Sequence, residues 1–230
     1  MAKNIREFTP EEQIQRAFDR EQIKNVFAKH CYCHLALRHD LEMETIWAHN
    51  APNVSWGFPT GFQVGRDVVW DFYVRPNLAK VAPKSVCRMH TLTTPLIEIA
   101  GDGKTAQGMW YSLGQVTNAG IDGKATGMWM HERYAVDFIK EDGAWKIWHF
   151  FVGTDLGSEA GKPFTGAMGP MAGADPEQAK AMAEIMSALP KPTIGMELYH
   201  CKYGWHNEPH FPHPYATHTA EISYGPEKYL

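Results

Sequence analysis

Four side chains carry the chemistry this sequence has to offer: His90, Gln115, Glu132 and His149, each set among apolar neighbours in strand-like stretches. An imidazole exchanges protons near neutral pH and serves as a general base toward carbon or hydroxyl protons. A carboxyl group held away from water has a raised pKa and acts as a proton donor, or it orients a neighbouring histidine. The plainer alternatives are a core histidine bonded to a backbone carbonyl and a glutamate in a rim salt bridge. Which applies depends on the elements that place these residues.

Asp-Gly recurs at 102–103, 122–123 and 142–143, 20 residues apart each time. Between alternating apolar runs this dipeptide marks hairpin turns, because both residues tolerate positive φ. Three turns imply four antiparallel strands, over roughly 87–100, 105–120, 125–140 and 144–154. Counting outward from each turn as a two-residue loop sets His90 opposite Gln115, Leu92 opposite Leu113 and Thr94 opposite Tyr111. The second turn pairs Gln115 with Met130, Leu113 with Glu132 and Tyr111 with Tyr134; the third pairs Tyr134 with Phe151, Val136 with His149 and Phe138 with Ile147. Side chains alternate across a strand, so all of these share one face. The opposite face of the last hairpin holds His131, Arg133, Asp137, Lys146 and Trp148, and suits solvent or a partner subunit. A β-bulge would shift this register by one residue beyond it.

The face with His90 needs a cover. Thr9-Pro10-Glu11-Glu12 reads as a capped helix start, and Ile14, Phe18, Ile23, Val26 and Phe27 continue at helical spacing, so a helix or helix pair runs from 10 to about 38. A shorter helix follows over Leu41–His49, a strand and turn over Val54–Pro59, and a helix over 66–79. Helices first and a long-stranded meander second make an α+β fold, with helices against one sheet face. Beyond Leu156 the chain turns to a Gly-, Pro- and Met-rich loop, a helix over Pro176–Leu189 capped by Asp175, and forty residues rich in His, Tyr, Trp and Pro. The division is a domain over 1–156 and a C-terminal extension over 157–230, packing as a lid or as an arm onto a neighbour.

Composition narrows the function. With 230 residues, 22 Lys+Arg against 26 Asp+Glu and a net charge of -4, the chain has no broad basic face for nucleic acid. No apolar run approaches the roughly 20 residues that span a bilayer, and the first residues lack a signal-peptide core, so no membrane and a cytoplasmic location are expected. The four cysteines are too scattered for a disulfide framework. Among the 12 histidines, His210 and His213 flank Pro212, which argues against one helical metal-binding face, and no metal site is expected there or around Cys31, Cys33 and His34. No nucleotide-binding glycine motif and no G-x-S-x-G is present, so no cofactor is expected.

The stretches IKNVFAKHCYCHLALRHDLEMETIWAHNAPNVSW, HTLTTPLIEIAGDGKTAQGMWY and YAVDFIKEDGAWKIWHF, in this order and spacing, resemble the SnoaL-like branch of the NTF2-like superfamily over about residues 10–156. That resemblance implies a cone of curved antiparallel sheet closed by N-terminal helices, and relatives that work without cofactors: scytalone dehydratase, bile acid 7α-dehydratase, polyketide cyclases and diarylpropane formaldehyde-lyases. Tyr32 is similar to the helix tyrosine these dehydratases point into the cone, and His90 to their strand histidine. Leu37 stands where a catalytic aspartate would follow the tyrosine, and Gln115 where a second polar group would face the histidine; Glu132 and Asp155 are the carboxylates left to replace the partner. The expectation is a lyase eliminating water or formaldehyde from a hydroxylated aromatic or polycyclic molecule. His90, Tyr32 and Glu132 would be catalytic, with Trp56, Tyr111, Gln115, Tyr134, His149, Phe151 and Asp155 around the substrate. An isomerase or cyclase is the neighbouring class, and a dioxygenase β-subunit-like or ligand-carrying protein the contrasting one. The resemblance also implies a homo-oligomer, trimer or dimer.

Overall fold

The computed structural model describes residues 7–75, 87–119, 125–161, 180, 184, 187–194 and 209–229. Helices α1 (Pro10–Leu35), α2 (His39–Thr45) and α3 (Arg66–Tyr73) pack with strands β1 (Ser55–Phe58), β2 (Gly61–Val64), β3 (Cys87–Ile99), β4 (Thr105–Ala119), β5 (Ala125–Glu141) and β6 (Ala144–Glu159). The six strands form one curved sheet in the order β2-β1-β6-β5-β4-β3, antiparallel throughout except where β1 runs parallel to β6. This is the α+β cone the sequence leads one to expect, with the added strand β2. The helix expected over Pro176–Leu189 and the Asp122-Gly123 turn fall mostly outside the described residues.

Helix α1 begins where the capping chemistry puts it. The Thr9 hydroxyl accepts from Glu12 N (3.2 Å), and Glu12 Oε2 accepts from Thr9 N (2.8 Å). Ile23, Phe27, His30 and His34, spaced four, three and four apart, are buried against the sheet. Phe27 sits among the rings of Trp110, Tyr134, Phe138 and Phe150. Ile14 and Phe18, from the same apolar series, are exposed (71% and 57%), since they lie off the Asp19–Ile23–Phe27 face that meets the sheet. Helix α2 stops four residues short of His49 because the backbone is drawn into a bridge with β6: Ile147 N donates to Ile46 O and Ala48 N to Ile147 O.

Three irregularities decide which side chains face inward. Asp142 and Gly143 both take positive φ, as a tight hairpin requires, and Phe138 pairs with Ile147 as counted. One extra residue on β6, Trp148, then shifts the ladder, so His149 lies opposite Asp137, Phe150 opposite Val136 and Val152 opposite Tyr134. His149 and Phe151 are therefore on the outward face rather than the inward one. The β4–β5 ladder is also offset by one from a two-residue turn, with Ser112 opposite Glu132 and Trp110 opposite Tyr134. Tyr111, Leu113 and Gln115 consequently point outward. In β3 a bulge between Thr93 and Leu96, with Thr94 at φ 48, turns Thr94 outward yet leaves His90 inward, opposite Gly114.

The outward face is covered in part by residues 209–229 of the same chain. Gly101 N and Asp102 N donate to Tyr215 O and Ala216 O, and Tyr224 packs with Phe62, Ala135 and Phe151. The anchor is Asp137, wholly buried, which accepts from Gln107 Nε2 (2.8 Å), Ser223 Oγ (3.0 Å), Tyr224 N (2.7 Å) and His149 Nδ1 (2.9 Å). His149 Nε2 lies 3.0 Å from Glu227 Oε1, so one imidazole joins a sheet carboxylate to a tail carboxylate. Gly225 sits against the His149 ring, where a Cβ would come within 2.5 Å of Cγ. These described tail residues cap their own sheet; they do not lie over the concave side.

Burial pushes the Asp137 carboxyl up, but hydrogen bonds and charge from His149 and His218 outweigh it and hold its pKa far below the usual carboxylate range. Burial pulls His149 down, but the hydrogen bonds and charges of Asp137 and Glu227 outweigh that and leave it raised. A depressed carboxylate contributes stability above its unfolded pKa, which is lost as pH falls through the folded value. A raised imidazole contributes below its unfolded pKa, and this is lost as pH rises through the folded value. Both contributions are complete between about pH 4 and about pH 6.5. Melting temperature is therefore expected to peak in that window, and His149→Gln to remove the decline on its alkaline side; a wild-type profile still rising at pH 8 would contradict the pairing. Asp137→Asn is expected to cost roughly 3–5 kcal/mol by leaving the imidazole buried without its charge partner. Hydrogen exchange should then quicken across residues 209–229.

Candidate functional site

Inside the cone, β3, β4 and β5 bring His90, Ser112, Glu132 and Tyr134 together. Residues 132 and 134 share the inward face of β5 by alternation, Ser112 stands opposite Glu132, and His90 comes from the neighbouring strand. His90 Nδ1 lies 2.7 Å from Tyr134 OH, 3.2 Å from Ser112 Oγ and 3.1 Å from Glu132 Oε2. The Tyr134 hydroxyl donates its one proton to Glu132 Oε2 at 2.7 Å. Its oxygen is then an acceptor for His90 Nδ1–H, which leaves the Nε2 lone pair toward the interior. Burial, with the Glu132 charge adding to it, pushes the Tyr134 phenol well above its ordinary pKa and keeps it protonated.

Helix α1 supplies two more imidazoles, His30 and His34, one turn apart on its buried face. His34 Nδ1 lies 2.8 Å from both His39 Nε2 and Tyr73 OH, and Tyr73 OH donates to Glu42 Oε2 at 3.0 Å. Glu42 is fully buried and also contacts His30 Nδ1 (2.7 Å) and accepts from Trp47 Nε1 (2.9 Å). Burial, then the neighbouring imidazoles and Arg88, lowers His34 well below its ordinary value; burial and Arg88 take His39 to about 3. His34 is neutral. With the Tyr73 proton committed to Glu42, the Tyr73 oxygen can accept from His34 Nδ1.

A cavity of about 170 Å³ opens between these two groups. Its polar wall is His30, His34, Arg88, His90, Glu132 and Tyr134; its apolar wall is Trp56, Phe58, Val116, Phe150 and Val152. The His34 and His90 rings lie against each other in its wall, with centroids 4.9 Å apart. Such a space is small beside the ~300 Å³ and upward of drug-sized pockets and fits a molecule of about one ring.

Of the residues singled out from the sequence, His90, Glu132, Tyr134 and Trp56 meet at this cavity. The others do not. Tyr32 is 75% exposed, because α1 presents its 30/34 face to the sheet and residue 32 lies on the far side. Tyr111 and Gln115 are exposed on the outward face, His149 is in the Asp137 cluster, and Phe151 packs outward against Phe62. Asp155 is held by Arg133 Nε at 2.9 and 3.0 Å on that same face, and burial raises its pKa despite the arginine.

The sequence reading does not assign His30, His34, Arg88 and Ser112 to a pocket. The His30-x3-His34 spacing on a helix is the available signal; Arg88 and Ser112 are legible only once the bulge and offset are known. Cys31 has its thiol pushed up to about 12 by burial and the Glu42 and Glu132 charges, so it is no nucleophile.

Among the described residues no helix is long and apolar enough to cross a membrane. No curated protein matches the sequence. The fold is similar to that of a variant of Rv3472, a protein of unknown function from Mycobacterium tuberculosis, with 19% identity, 78% of this chain and 96% of that one covered, and a TM-score of 0.52. It is similar to a type 2 hexachlorocyclohexane dehydrochlorinase, LinA, with 14% identity, 69% and 98% coverage and a TM-score of 0.51. It is also similar to a scytalone dehydratase-like protein from Novosphingobium aromaticivorans DSM 12444, with 13% identity, 70% and 97% coverage and a TM-score of 0.51. At these identities the likenesses speak to the fold. The family model of the SnoaL-like domain matches residues 15–150, more than half of the sequence, and the chain belongs to that family within the NTF2-like superfamily.

Proposed function

We propose that the protein is a cofactor-independent lyase that eliminates water or formaldehyde from a small hydroxylated aromatic molecule, with His90 as its base. The observation that carries this reading is the state of His90: Nδ1 is held by Tyr134, Ser112 and Glu132, while Nε2 has no partner among the described residues and its ring lines the cavity. A carboxylate behind one imidazole nitrogen fixes the tautomer and stabilises the imidazolium formed when the other nitrogen takes a proton. The dehydratase-like and dehydrochlorinase neighbours, which share the fold, agree with elimination chemistry.

In loss of water, Nε2 removes a proton from carbon, the C–H electron pair becomes the new C=C bond and the C–O bond breaks. The imidazolium returns its proton to the departing oxygen, and water leaves. In loss of formaldehyde, Nε2 removes the hydroxymethyl O–H proton, the C=O bond forms as the C–C bond breaks, and that electron pair becomes a C=C bond as a hydroxyl on the adjacent carbon departs as water with the proton the imidazolium returns. Glu132, with Tyr134 between it and His90, holds the charge on the imidazole during either step. Trp56, Phe58 and Phe150 face the ring and keep water out. An isomerase or cyclase would use the same base, with the proton returned to carbon. A carrier would instead satisfy His90 and Glu132 with backbone groups, whereas their partners here are side chains around open space.

His90→Gln is expected to lower kcat about 10²–10⁴-fold on an identified substrate, with KM little changed. Incorporation of solvent deuterium at carbon in unreacted substrate, followed by mass spectrometry, reports C–H abstraction in the loss of water and should stop in the same variant. Full turnover by His90→Gln would sink the reading. Tyr32→Phe is expected to leave kcat unchanged and stability within about 0.5 kcal/mol, as for any solvent-facing position. We also propose assembly as a homo-oligomer through the outward sheet face, where Met89, Leu96, Tyr111 and Leu113 are exposed (40–53%). Light scattering reads the mass directly, and a monomer at micromolar concentration would refute it.

A further inference from the structure

The arginines described in this molecule are paired, with one exception. Arg16 and Arg20 donate to the carbonyls of Ala100, Ile99 and Ile97, and Arg66 to those of Ala48 and Met43. Arg38 meets Asp40, Arg75 meets Asp71, and Arg133 meets Asp155. Arg88 breaks the pattern. It lies two residues before His90 on β3, therefore on the same inward face, and lines the cavity beside His34 and His90. Among the described residues no carboxylate or carbonyl contacts it. Burial lowers its pKa, with no carboxylate among the charges that oppose the shift.

The carboxylate in the cavity wall, Glu132, and the one behind His30, Glu42, are already taken. Glu132 is bound by Tyr134 and His90, and Glu42 by His30, Tyr73 and Trp47. A half-buried guanidinium without a counter-charge among the described residues is costly, and it remains charged at any pH at which proteins work. Its planar fork matches the two oxygens of a carboxylate. The imidazoles of His34 and His90 beside it offer lone pairs, which do not compete for its protons with an anion's strength. The aromatic side chains Trp56, Phe58 and Phe150 complete a slot that is cationic at one end and apolar along its walls.

We propose that Arg88 is the recognition group for a carboxylate on the substrate, so that the molecule taken by this cavity is an aromatic acid rather than a neutral polycycle. This deepens the reading of the cavity as a substrate site and rests on it. The carboxylate would anchor one end of the ring against Arg88 and set the reacting carbon against His90 Nε2. Arg88 thereby determines which substrates enter, and His90 what happens to them.

The test uses benzoate and its neutral isostere benzamide with the full chain at pH 7, where benzoate is ionised. Binding is read from the quenching of tryptophan fluorescence and from the ligand-induced rise in melting temperature. Benzoate is expected to bind at least about tenfold more tightly than benzamide, the ratio that one charge-assisted contact supports. Arg88→Met should abolish the preference and Arg88→Lys should retain part of it. Because the guanidinium has no carboxylate or carbonyl partner to lose among the described residues, Arg88→Met should melt no lower than the wild type, which separates lost recognition from lost folding. Equal binding of acid and amide, no binding of benzoate, or a preference that survives Arg88→Met would overturn the proposal. His90→Gln should keep the preference intact, so a failure of the catalytic reading shows in turnover alone and a failure of this one in the acid-to-amide ratio.

Discussion

A carboxylate withdrawn from water keeps its place only when donors replace the hydration it has lost, and four such groups tie the elements of this molecule together. Asp19 on α1 takes Lys140 Nζ from β5 and Trp145 Nε1 from β6. Glu42 on α2 gathers His30 from α1 and Tyr73 from α3. Glu132 holds β5 to His90 of β3, and Asp137 holds β5 and β6 to the C-terminal segment. Hydrophobic burial supplies most of the driving force, centred on Phe27 and its ring of aromatics, but it is indifferent to small rotations. The carboxylates are not. Each accepts from fixed directions, and together they determine how the helices sit over the sheet.

Strand β5 shows what this does for function. Alternation turns Glu132 and Tyr134 inward and Arg133 and Asp137 outward, so one strand serves the cavity on one side and the tail on the other. The inward pair holds His90, whose second nitrogen has no partner among the described residues. Of the outward residues, Asp137 holds His149, whose second nitrogen is met by Glu227. Similar residues therefore have opposite uses: an imidazole with one partner is available for proton transfer, and one with two partners is a fastener.

Much of this was legible in the residues. The Asp-Gly spacing marked four strands to within a few residues, and the Thr9 box marked the first turn of α1. His90 is inward as the strand pattern implied. The faces of β4 and the far half of β6 were not legible, and the reason is specific. A period of two carries no memory of a single inserted residue, so Trp148 and the offset between β4 and β5 reversed Tyr111, Gln115, His149 and Phe151 together. Strand composition gave no warning, because Trp148 suits a regular strand as well as a bulge. Tyr32 failed for a different reason: its role came from likeness to other chains, while the burial of His30 and His34 turns residue 32 toward solvent. Arg88 went unnoticed because its place on the inward face, without a carboxylate beside it among the described residues, shows only once the strands are folded.

The bulge at Thr93–Leu96 splits β3 into two halves with opposite phase. Toward Ile99 its odd-numbered residues are buried in the core; toward Cys87 its even-numbered residues, Arg88 and His90, line the cavity. The extra residue works like a gear tooth between scaffold and chemistry. Replacing Thr94 would exchange one side chain for another. Deleting it would turn the distal half through half a revolution, presenting Met89 and Thr91 to the interior and sending His90 and Arg88 out to solvent, while Ile97 and Ile99 stayed seated. For this strand the length of the chain, more than the identity of any residue in it, decides which side chains line the cavity.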